Sequence, residues 1–159
     1  MASGSRSVKR PAAVPPPPGP SERSQNMRAN RRRDSAPELR IRKLLHAQGL
    51  RFRVDLSVRL DGSRPVRPDV VFTRARLAVF VDGCFWHGCP EHGQRPGVRN
   101  GHYWTPKLAG NAERDQRQTR ALVDAGWTVL RFWEHEPPEI VVDEIRRVYA
   151  TRAASARGR

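Results

Sequence analysis

The stretch RPDVVFTRARLAVFVDGCFWHGCPEH, residues 67–92, decides the fold that this sequence predicts. It contains two β-prone apolar runs, at 70–72 and 77–81, separated by a short basic turn. The runs are expected to form adjacent strands of one sheet. The residues that follow, 83–106, are rich in Gly, Pro, His and aromatic side chains and are expected to form a loop.

Elements on both sides of this stretch predict an α/β fold, a small mixed sheet flanked by helices. Upstream, Ser35-Ala-Pro-Glu38 is typical of a capping box with proline in the first turn, and it predicts a helix that stops near Gly49. The remaining elements are expected as a strand at 51–57, a helix at about 107–125, a strand at 127–133 and a helix at about 138–150.

The two ends of the chain differ in composition from its middle. Residues 1–20 hold six of the 14 prolines and are expected to form a disordered, basic leader. Residues 151–159 are expected to form a disordered basic tail. The folded domain is therefore expected to span residues 21–150, beginning with a polar, basic segment at 21–35 that can become helical on a phosphate surface.

The charge of the chain favours a polyanionic partner. The formal net charge is +14, and the segments outside residues 36–150 supply most of it. Neutralising phosphates releases counterions, so nucleic acid is the natural partner of such a chain. No apolar run approaches the ~20 residues of a membrane span, which excludes an integral membrane protein of the helical class.

Two carboxylates are expected at one edge of the sheet. Asp69 opens the first apolar strand, and Asp82 closes the next one 13 positions later. Such a pair suits Mg²⁺, a hard cation that takes oxygen ligands and organises phosphate oxygens. The spacing is similar to the PD-(D/E)xK nuclease pattern, with Cys84 in the usual lysine position. The alternative is that the two are an ordinary strand-start and turn aspartate.

A metal centre is indicated by Cys84, Cys89 and His92, three potential ligands within nine residues. Tetrahedral zinc needs a fourth ligand, for which His135 is the best candidate and His102 the alternative. Four protein ligands leave no open position, so this site is interpreted as structural. The other interpretation is two buried cysteines beside a surface histidine.

Two further residues are candidates for the chemistry. His87 can act as a general base toward water, a role left open by the missing lysine, although it could also be a spare zinc ligand. Glu38 can return a hydrogen bond to Ser35 as part of the capping box, or it can reach metal-bound water from the core-facing edge of its helix.

Aromatic residues flank the predicted metal loop away from any periodic core pattern. Phe85 and Trp86 lie at its start, directly after Cys84, and Tyr103 and Trp104 follow it. Such side chains can wedge between base steps of DNA, at a cost of about a few kcal/mol of unstacking. Packing within the loop is the alternative for Trp86 and Trp104.

Assembled in this order, the chain resembles the very-short-patch (Vsr) mismatch repair endonucleases. The resemblance covers residues 24–136 and rests on five stretches: SQNMRANRRRDSAPE, RPDVVF, VFVDGCFWHGCPEH, YWTPKLAGNAERD and GWTVLRFWEHE. It implies a restriction-endonuclease-like fold with a structural zinc. It also implies a DNA repair enzyme, a hydrolase that uses Mg²⁺ to nick one strand of duplex DNA 5′ to the thymine of a T:G mismatch.

The resemblance also implies a role for each candidate residue. Asp69 would be the central Mg²⁺ ligand, helped by the main-chain carbonyl of Val81, while His87 would activate water and Glu38 would support the metal-water network. Insertion beside the mismatch is implied for Phe85, Trp86 and Trp104. Zinc binding is implied for Cys84, Cys89, His92 and His135. The segment around Met27 would form an arm, residues 21–35, that grips the duplex from the opposite groove.

One departure from the family concerns the active site. Val81-Asp82 stands where the best-studied member has a threonine-histidine pair, so Asp82 is an additional candidate for metal binding. We expect a monomer in the cytoplasm, associated with the nucleoid, with mismatched double-stranded DNA and mismatch-repair proteins as partners. The alternatives are a related nuclease with another lesion or sequence target, and a zinc-dependent DNA-binding module without catalysis.

Overall fold

The computed structural model describes residues 34–62, 64–92 and 101–157. It contains four helices and three strands within these ranges. In chain order the elements are α1 (Ala36–Ala47), β1 (Val70–Phe72), β2 (Leu77–Asp82), α2 (Cys84–His87), α3 (Gly101–Asp124), β3 (Thr128–Trp133) and α4 (Pro138–Arg157). The leader at 1–20, most of the arm at 21–35 including Met27, and the side chains of His102 and Trp104 lie outside the described residues.

The sheet brings three chain segments to one edge. β2 is the central strand; β1 pairs with it antiparallel and β3 pairs with it parallel. The start of β1 and the ends of β2 and β3 therefore meet at the same edge of the sheet. Asp69 precedes β1, Asp82 closes β2, and Glu134 follows β3, so all three lie at this edge.

Apolar residues cover both faces of the sheet, as expected of strands buried between helices. On one face α1 and α4 pack against alternate strand residues, and Leu45 and Ile145 are fully buried there. On the other face a second cluster joins Val71, Ala78 and Phe80 to Leu122 of α3 and to the segment around Val58 and Val66. This arrangement confirms the predicted mixed α/β fold with helices flanking the sheet.

Helix α1 begins and ends as the sequence predicts. The N–H of Glu38 donates to the Ser35 hydroxyl oxygen over 3.4 Å, and the Ser35 hydroxyl lies 3.0 Å from the Glu38 carboxylate. Pro37 lies in the first turn. After the helix, Gly49 adopts a left-handed conformation with φ +73°, which a residue without a Cβ adopts at little cost.

Two sequence predictions in this part of the fold are wrong. The strand expected at 51–57 is reduced to a single bridge between Arg53 and Val71. The loop expected at 83–106 contains α2 and the start of α3, with Pro106 inside the helix. Proline removes one helical hydrogen bond, which suggested a helix start beyond it, but the contacts of α3 with α2 and β3 support the helix on both sides.

The last helix is longer than predicted. It continues through Arg157, so residues 151–157 are helical where a disordered tail was expected. Arg152 explains part of this extension, because it donates to the main-chain oxygens of Ala75 over 3.3 Å and Gly126 over 3.1 Å. These contacts tie the end of α4 to the turns before β2 and β3, which local composition did not reveal.

Candidate active site and metal centre

Four potential metal ligands converge beside the edge of the sheet. The Sγ atom of Cys84 lies 3.1 Å from Nδ1 of His135, and Sγ of Cys89 lies 3.7 Å from the same nitrogen. With Nδ1 of His92, 4.0 Å from Cys89 Sγ, the four ligand atoms lie within 4.8 Å of one another. The structure thus brings together all four residues that the sequence selected, with His135 as the fourth member.

Strand topology and one turn explain why these ligands meet. Cys84 follows β2 and His135 follows β3, and these strands are parallel neighbours. Gly88, with φ +68°, ends α2 and turns the chain so that Cys89 returns toward Cys84, whose carbonyl accepts the Cys89 N–H over 2.9 Å. Tetrahedral zinc places its ligand atoms about 3.3–3.8 Å apart, given metal-ligand distances of about 2.0–2.3 Å, so this cluster is compact enough to hold such an ion.

Acidic side chains support the cluster from outside. Oε1 of Glu134 accepts the N–H of Cys84 over 2.7 Å. Oε2 of Glu91 lies 3.6 Å from Nε2 of His135, the ring nitrogen that faces away from the thiols. A carboxylate near the outer nitrogen of a histidine ligand orients the ring toward a metal. Sequence reasoning did not identify Glu134 or Glu91, although both stand next to predicted ligands.

Asp69 is held at the start of β1 by the neighbouring strand. Its Oδ2 atom accepts the N–H of Val81 over 2.8 Å, and its own N–H donates to Val79 over 3.0 Å. The N–H and C=O of an extended residue point to the same side of a strand, so the Val81 carbonyl also points toward the Asp69 side. The two residues can therefore present a carboxylate and a carbonyl oxygen to one cation.

The surroundings of Asp69 disfavour its charge. Burial raises the pKa of Asp69 to about 6, opposed by the hydrogen bond from Val81 and reinforced by the carboxylates of Glu38 and Asp82. Arg42 acts in the opposite direction. A half-buried carboxylate with an elevated pKa is common at functional sites, and a divalent cation beside it would favour the ionised form.

Glu38 lies near Asp69, but its oxygens already have partners. Besides the cap, Oε2 accepts a hydrogen bond from Arg42 over 2.6 Å and from the N–H of Asp34 over 3.1 Å. Nη2 of Arg42 also lies 3.4 Å from the main-chain oxygen of Asp69. The capping interpretation of Glu38 thus agrees with the geometry, and Arg42 links this cap to the start of β1.

Asp82, a candidate metal ligand in the sequence, pairs with an arginine in the structure. Its two oxygens accept hydrogen bonds from Arg131, over 2.7 Å from Nε and 2.8 Å from Nη2. A bidentate pair with a guanidinium balances the charge of a carboxylate and uses about two of its four lone-pair sites. Arg131 reaches Asp82 because β3 runs parallel to β2, with Arg131 opposite Phe80 and two residues before the position opposite Asp82. Asp82 is therefore a partner of Arg131 in this structure.

His87 has a close acidic partner that sequence reasoning missed. Its Nδ1 lies 2.5 Å from Oδ2 of Asp115 on α3 and 3.5 Å from Oδ1 of Asp82. Burial would raise the pKa of Asp115, but the hydrogen bond with His87 and then the charges of His87 and Arg131 lower it below its ordinary value. A carboxylate that accepts the Nδ1–H proton leaves Nε2 as the acceptor of the ring.

A cleft gives access to this histidine. It has a volume of about 620 Å³ and opens between α3 and β3. His87, Asp115 and Arg131 line it together with the side chains of Gln116 and Trp133. The imidazole therefore lies where a ligand from solvent can reach it.

The aromatic pair Phe85 and Trp86 lies beside His87 on α2. The two rings form an edge-to-face contact, with centroids 5.1 Å apart and planes at 86°. Both side chains are half-buried. Asn111 of α3 donates to the Trp86 main-chain oxygen over 2.9 Å, and the Lys107 ammonium lies 5.6 Å from the centre of the Trp86 ring.

Comparison with known proteins identifies the family. A family model described as DNA mismatch endonuclease Vsr matches residues 19–92. A DNA mismatch endonuclease Vsr from Escherichia coli (strain K12) is 42% identical over 112 residues, which cover 70% of this chain and 69% of that protein. The chain belongs to the Vsr family. A type II nicking enzyme V.NaeI from Lentzea aerocolonigenes is 52% identical over 114 residues, covering 72% and 68% of the two chains.

A further relative gives the same result. A type II nicking enzyme V.XorIIP from Xanthomonas oryzae pv. oryzae is 42% identical over 129 residues, covering 80% of this chain and 90% of that protein. The prediction of a strand-nicking DNA endonuclease is thereby confirmed at the level of the Vsr family. The alternative of a binding module without catalysis has no support among these relatives.

Two residues of the site, Asp115 and Arg131, were not predicted from the sequence. Asp115 belongs to the stretch NAERD, which contributed to the resemblance without being given a role. Arg131 lies inside a β-prone strand, where an arginine gives no local signal of its partner.

Among the helices that the structure describes, none is long and apolar enough to cross a membrane.

Proposed function

We propose that this Vsr-family protein is a Mg²⁺-dependent endonuclease that nicks one strand of duplex DNA 5′ to the thymine of a T:G mismatch, in very short patch repair. The observation that supports the proposal is a shared neighbour: the carboxylate of Asp82 interacts electrostatically with Asp69 and lies 3.5 Å from Nδ1 of His87. Asp69 is held by Val81, and His87 is held by Asp115. A cation-binding carboxylate and an oriented imidazole are what metal-assisted phosphodiester hydrolysis requires.

The residues around Asp69 fit a hard divalent cation. Asp69 and the main-chain carbonyl of Val81 would hold Mg²⁺, and Glu38 would support the waters around it. Bound there, Mg²⁺ would supply Lewis-acid stabilisation of the charge that develops on the phosphate. Burial raises the pKa of the Asp69 carboxyl more than Arg42 lowers it, so a bound divalent cation would further favour the ionised form.

The imidazole of His87 would act on the attacking water. Asp115 would accept a hydrogen bond from Nδ1–H and fix the ring, so that Nε2 could take a proton from water while the water oxygen bonds to phosphorus and one bridging P–O bond of the strand breaks. Proton transfer of this kind contributes about 10²–10⁴-fold in rate. The DNA oxygen that leaves phosphorus would take up a proton from solvent, which can enter through the cleft between α3 and β3.

The Cys/His cluster would hold a structural Zn²⁺. Its four members are Cys84, Cys89, His92 and His135. With all four positions filled by protein, the ion would join the ends of β2 and β3 to the chain after α2. Because α2 carries His87, Phe85 and Trp86, this clamp would hold the catalytic imidazole and the aromatic pair in register with the sheet.

Mismatch preference would come from aromatic insertion. Phe85 and Trp86, together with Trp104, would enter the base stack, and the arm around Met27 would hold the duplex from the other side. Inserting a side chain costs about a few kcal/mol of unstacking, and this cost is least at a mispaired step. We further propose that the enzyme acts as a monomer on nucleoid DNA, alongside mismatch-repair proteins.

Nicking of end-labelled duplexes tests this function directly. T:G duplexes in several sequence contexts and matched T:A and C:G controls would be incubated with Mg²⁺, with Ca²⁺ and without added metal. We expect one cut, 5′ to the mismatched thymine, only with Mg²⁺. Equal cutting of matched DNA, or cutting at another lesion, would instead favour a related nuclease with a different target.

The variant Asp69→Asn separates binding from chemistry. It should retain DNA binding, measured by fluorescence anisotropy, and lose nicking by about 10³-fold or more, because the metal contribution to charge stabilisation is several kcal/mol. The matched control is Asp61→Asn, in an exposed turn away from the site, which should nick normally. Nicking by the Asp69 variant at the wild-type rate would refute the metal assignment.

A further inference from the structure

Arg131 lies between two carboxylates that both face His87. Its Nε and Nη2 atoms bind Asp82 in a bidentate pair, and Nη2 also lies 3.6 Å from Oδ1 of Asp115. The guanidinium stacks 4.5 Å above the ring of Phe80, which fixes its plane. Nη1 donates to the hydroxyl of Thr119 over 3.3 Å, so all three guanidinium nitrogens have partners.

The two carboxylates are potential competitors for one proton. Nδ1 of His87 lies 2.5 Å from Asp115 and 3.5 Å from Oδ1 of Asp82. A neutral imidazole has a single N–H to donate, so a ring drawn toward Asp82 would turn away from Asp115. Both acidic side chains are largely buried, at 11% and 12% exposure, so water offers little alternative to the imidazole.

We propose that Arg131 is a positioning residue for the nicking reaction: by occupying both oxygens of Asp82, it leaves Asp115 as the acceptor of the His87 proton and so fixes the imidazole. The proposal rests on the proposed function of His87 as the base. Arg131 would act by binding Asp82, and Asp82 would act as its partner. The sequence pattern indicated neither role.

Geometry distinguishes this role from that of an ordinary surface ion pair. Arg114 contacts the same oxygen of Asp115, over 3.2 Å, but its side chain is 48% exposed and it does not pair with Asp82. Arg131 is 23% exposed and binds Asp82 through two hydrogen bonds. Arg114→Met is therefore a matched control, since it removes a cation from Asp115 without releasing Asp82.

The kinetic test uses single-turnover nicking of a T:G duplex at saturating enzyme. Arg131→Met should lower the rate constant about 10- to 100-fold, the scale expected when a catalytic group is displaced by about 1 Å, while the dissociation constant for DNA changes less than about threefold. Arg114→Met should stay within about threefold of wild type. Adding Asp82→Ala to Arg131→Met should restore most of the rate, because the competing acceptor is then gone.

Thermal melting of each variant shows that the rates refer to folded protein. Arg131→Gln, which can occupy only one oxygen of Asp82 and leaves the other open to the His87 N–H, replaces the methionine variant if the latter does not fold. A full rate in Arg131→Met or Arg131→Gln would overturn the proposal. So would a double variant that regains its melting temperature but not its rate, since that pattern assigns the pair to stability and gives Arg131 some other part in the reaction.

Proton NMR of protein labelled with ¹⁵N-histidine tests the same claim without activity. The hydrogen-bonded Nδ1–H proton of His87 should give a downfield resonance that Asp115→Ala abolishes. In the Arg131→Met background the resonance should survive Asp115→Ala, because the released Asp82 can accept the proton. Survival of the resonance in Asp115→Ala alone, or its loss in both backgrounds, would refute the proposal. Absence of nicking by the wild-type protein, with this pattern intact, would refute only the proposed function.

Discussion

The two halves of the candidate site are held in different ways. Asp69 is fixed by the sheet itself, through hydrogen bonds to Val79 and Val81 on the adjacent strand. His87 stands on a four-residue helix, and its position depends on Asp115, 28 residues away, and on the Cys/His cluster on either side of it. The carboxylate half, around Asp69, is therefore built from local strand pairing. The imidazole half, around His87, is assembled from distant parts of the chain.

This difference predicts which half tolerates perturbation. A residue held by backbone hydrogen bonds within a sheet keeps its position as long as the sheet is folded. A residue held by side chains and a clamp can be displaced by a single substitution elsewhere. The three experiments below compare the halves, beginning with the chemistry that each supplies.

The largest expected contrast is between loss of the base and loss of the metal ligand. His87→Ala should reduce the nicking rate about 100- to 1,000-fold, the usual contribution of general base catalysis. Added imidazole should restore part of that rate, because a small base can enter the cleft beside the vacated position. Asp69→Asn should lose at least as much activity, and imidazole should not restore it.

The control for this contrast is His46→Ala. His46 is exposed on α1 and stacks on Phe52, with ring centroids 4.4 Å apart, away from the cleft. It should nick at the wild-type rate with or without imidazole. Equal rescue of the His87 and Asp69 variants would mean that imidazole acts on DNA cleavage generally, and the assignment of His87 as base would fail.

The second contrast concerns the clamp. Cys84→Ser should lose about one equivalent of zinc, measured by inductively coupled plasma mass spectrometry, and lower the melting temperature sharply, because the binding free energy of a structural zinc is folding free energy. Protein loaded with Co²⁺ should show the visible absorption of a tetrahedral site, and the Ser variant should lose it. Hydrogen exchange should rise first in α2 and last in β1, since α2 begins at the clamp.

Retention of zinc and of cooperative melting by Cys84→Ser would contradict the clamp. The control is Ser57→Ala, a half-buried residue outside the cluster, which should leave the zinc content unchanged. Uniform loss of protection across α2 and β1 would contradict the comparison itself, because it would make both halves equally dependent on the metal.

The sequence predicted the parts of the site that local patterning builds, which are the carboxylates at the sheet edge and the Cys/His cluster. Two apolar strands with acids at opposite ends placed Asp69 and Asp82 at one edge, and ligand spacing selected Cys84, Cys89 and His92. His135 could be added because it directly follows a predicted strand. These inferences need only the alternation of strands and the short reach of a metal site.

The imidazole half could not be predicted in the same way. Asp115 lies in the interior of a helix, and Arg131 lies within a strand, where single charged residues usually indicate a solvated face. Their partnership with Asp82 and His87 depends on how α3 packs against β3, which a residue pattern does not specify. The pair between Asp82 and Arg131 could not be predicted for this reason, since the two residues are 49 positions apart.

The smallest expected effect is the loss of folding stability caused by burying the ionised carboxylate of Asp69. Burial raises the pKa of Asp69 to about 6 from an ordinary value of 3.8, so the folded protein disfavours the ionised carboxylate. Below pH 3.8 both the folded and unfolded states are protonated, and no penalty applies. Stability should fall as the pH rises through 6, by about 2–3 kcal/mol without added Mg²⁺. Asp69→Asn removes this titration.

Urea unfolding at a series of pH values measures that penalty. Without added Mg²⁺, Asp69→Asn should be more stable than wild type by about 2 kcal/mol at pH 7.5, and the difference should shrink toward zero at pH 4. Asp124→Asn, at an exposed position, should show no such trend. An Asp69 variant that is less stable than wild type at pH 7.5 would mean that the Val81 hydrogen bond outweighs burial. If the predicted trend holds, the sheet fixes the Asp69 carboxylate in a position where its ionised form lowers the stability of the fold. Such a cost is expected of a residue that is retained for binding a cation rather than for stability.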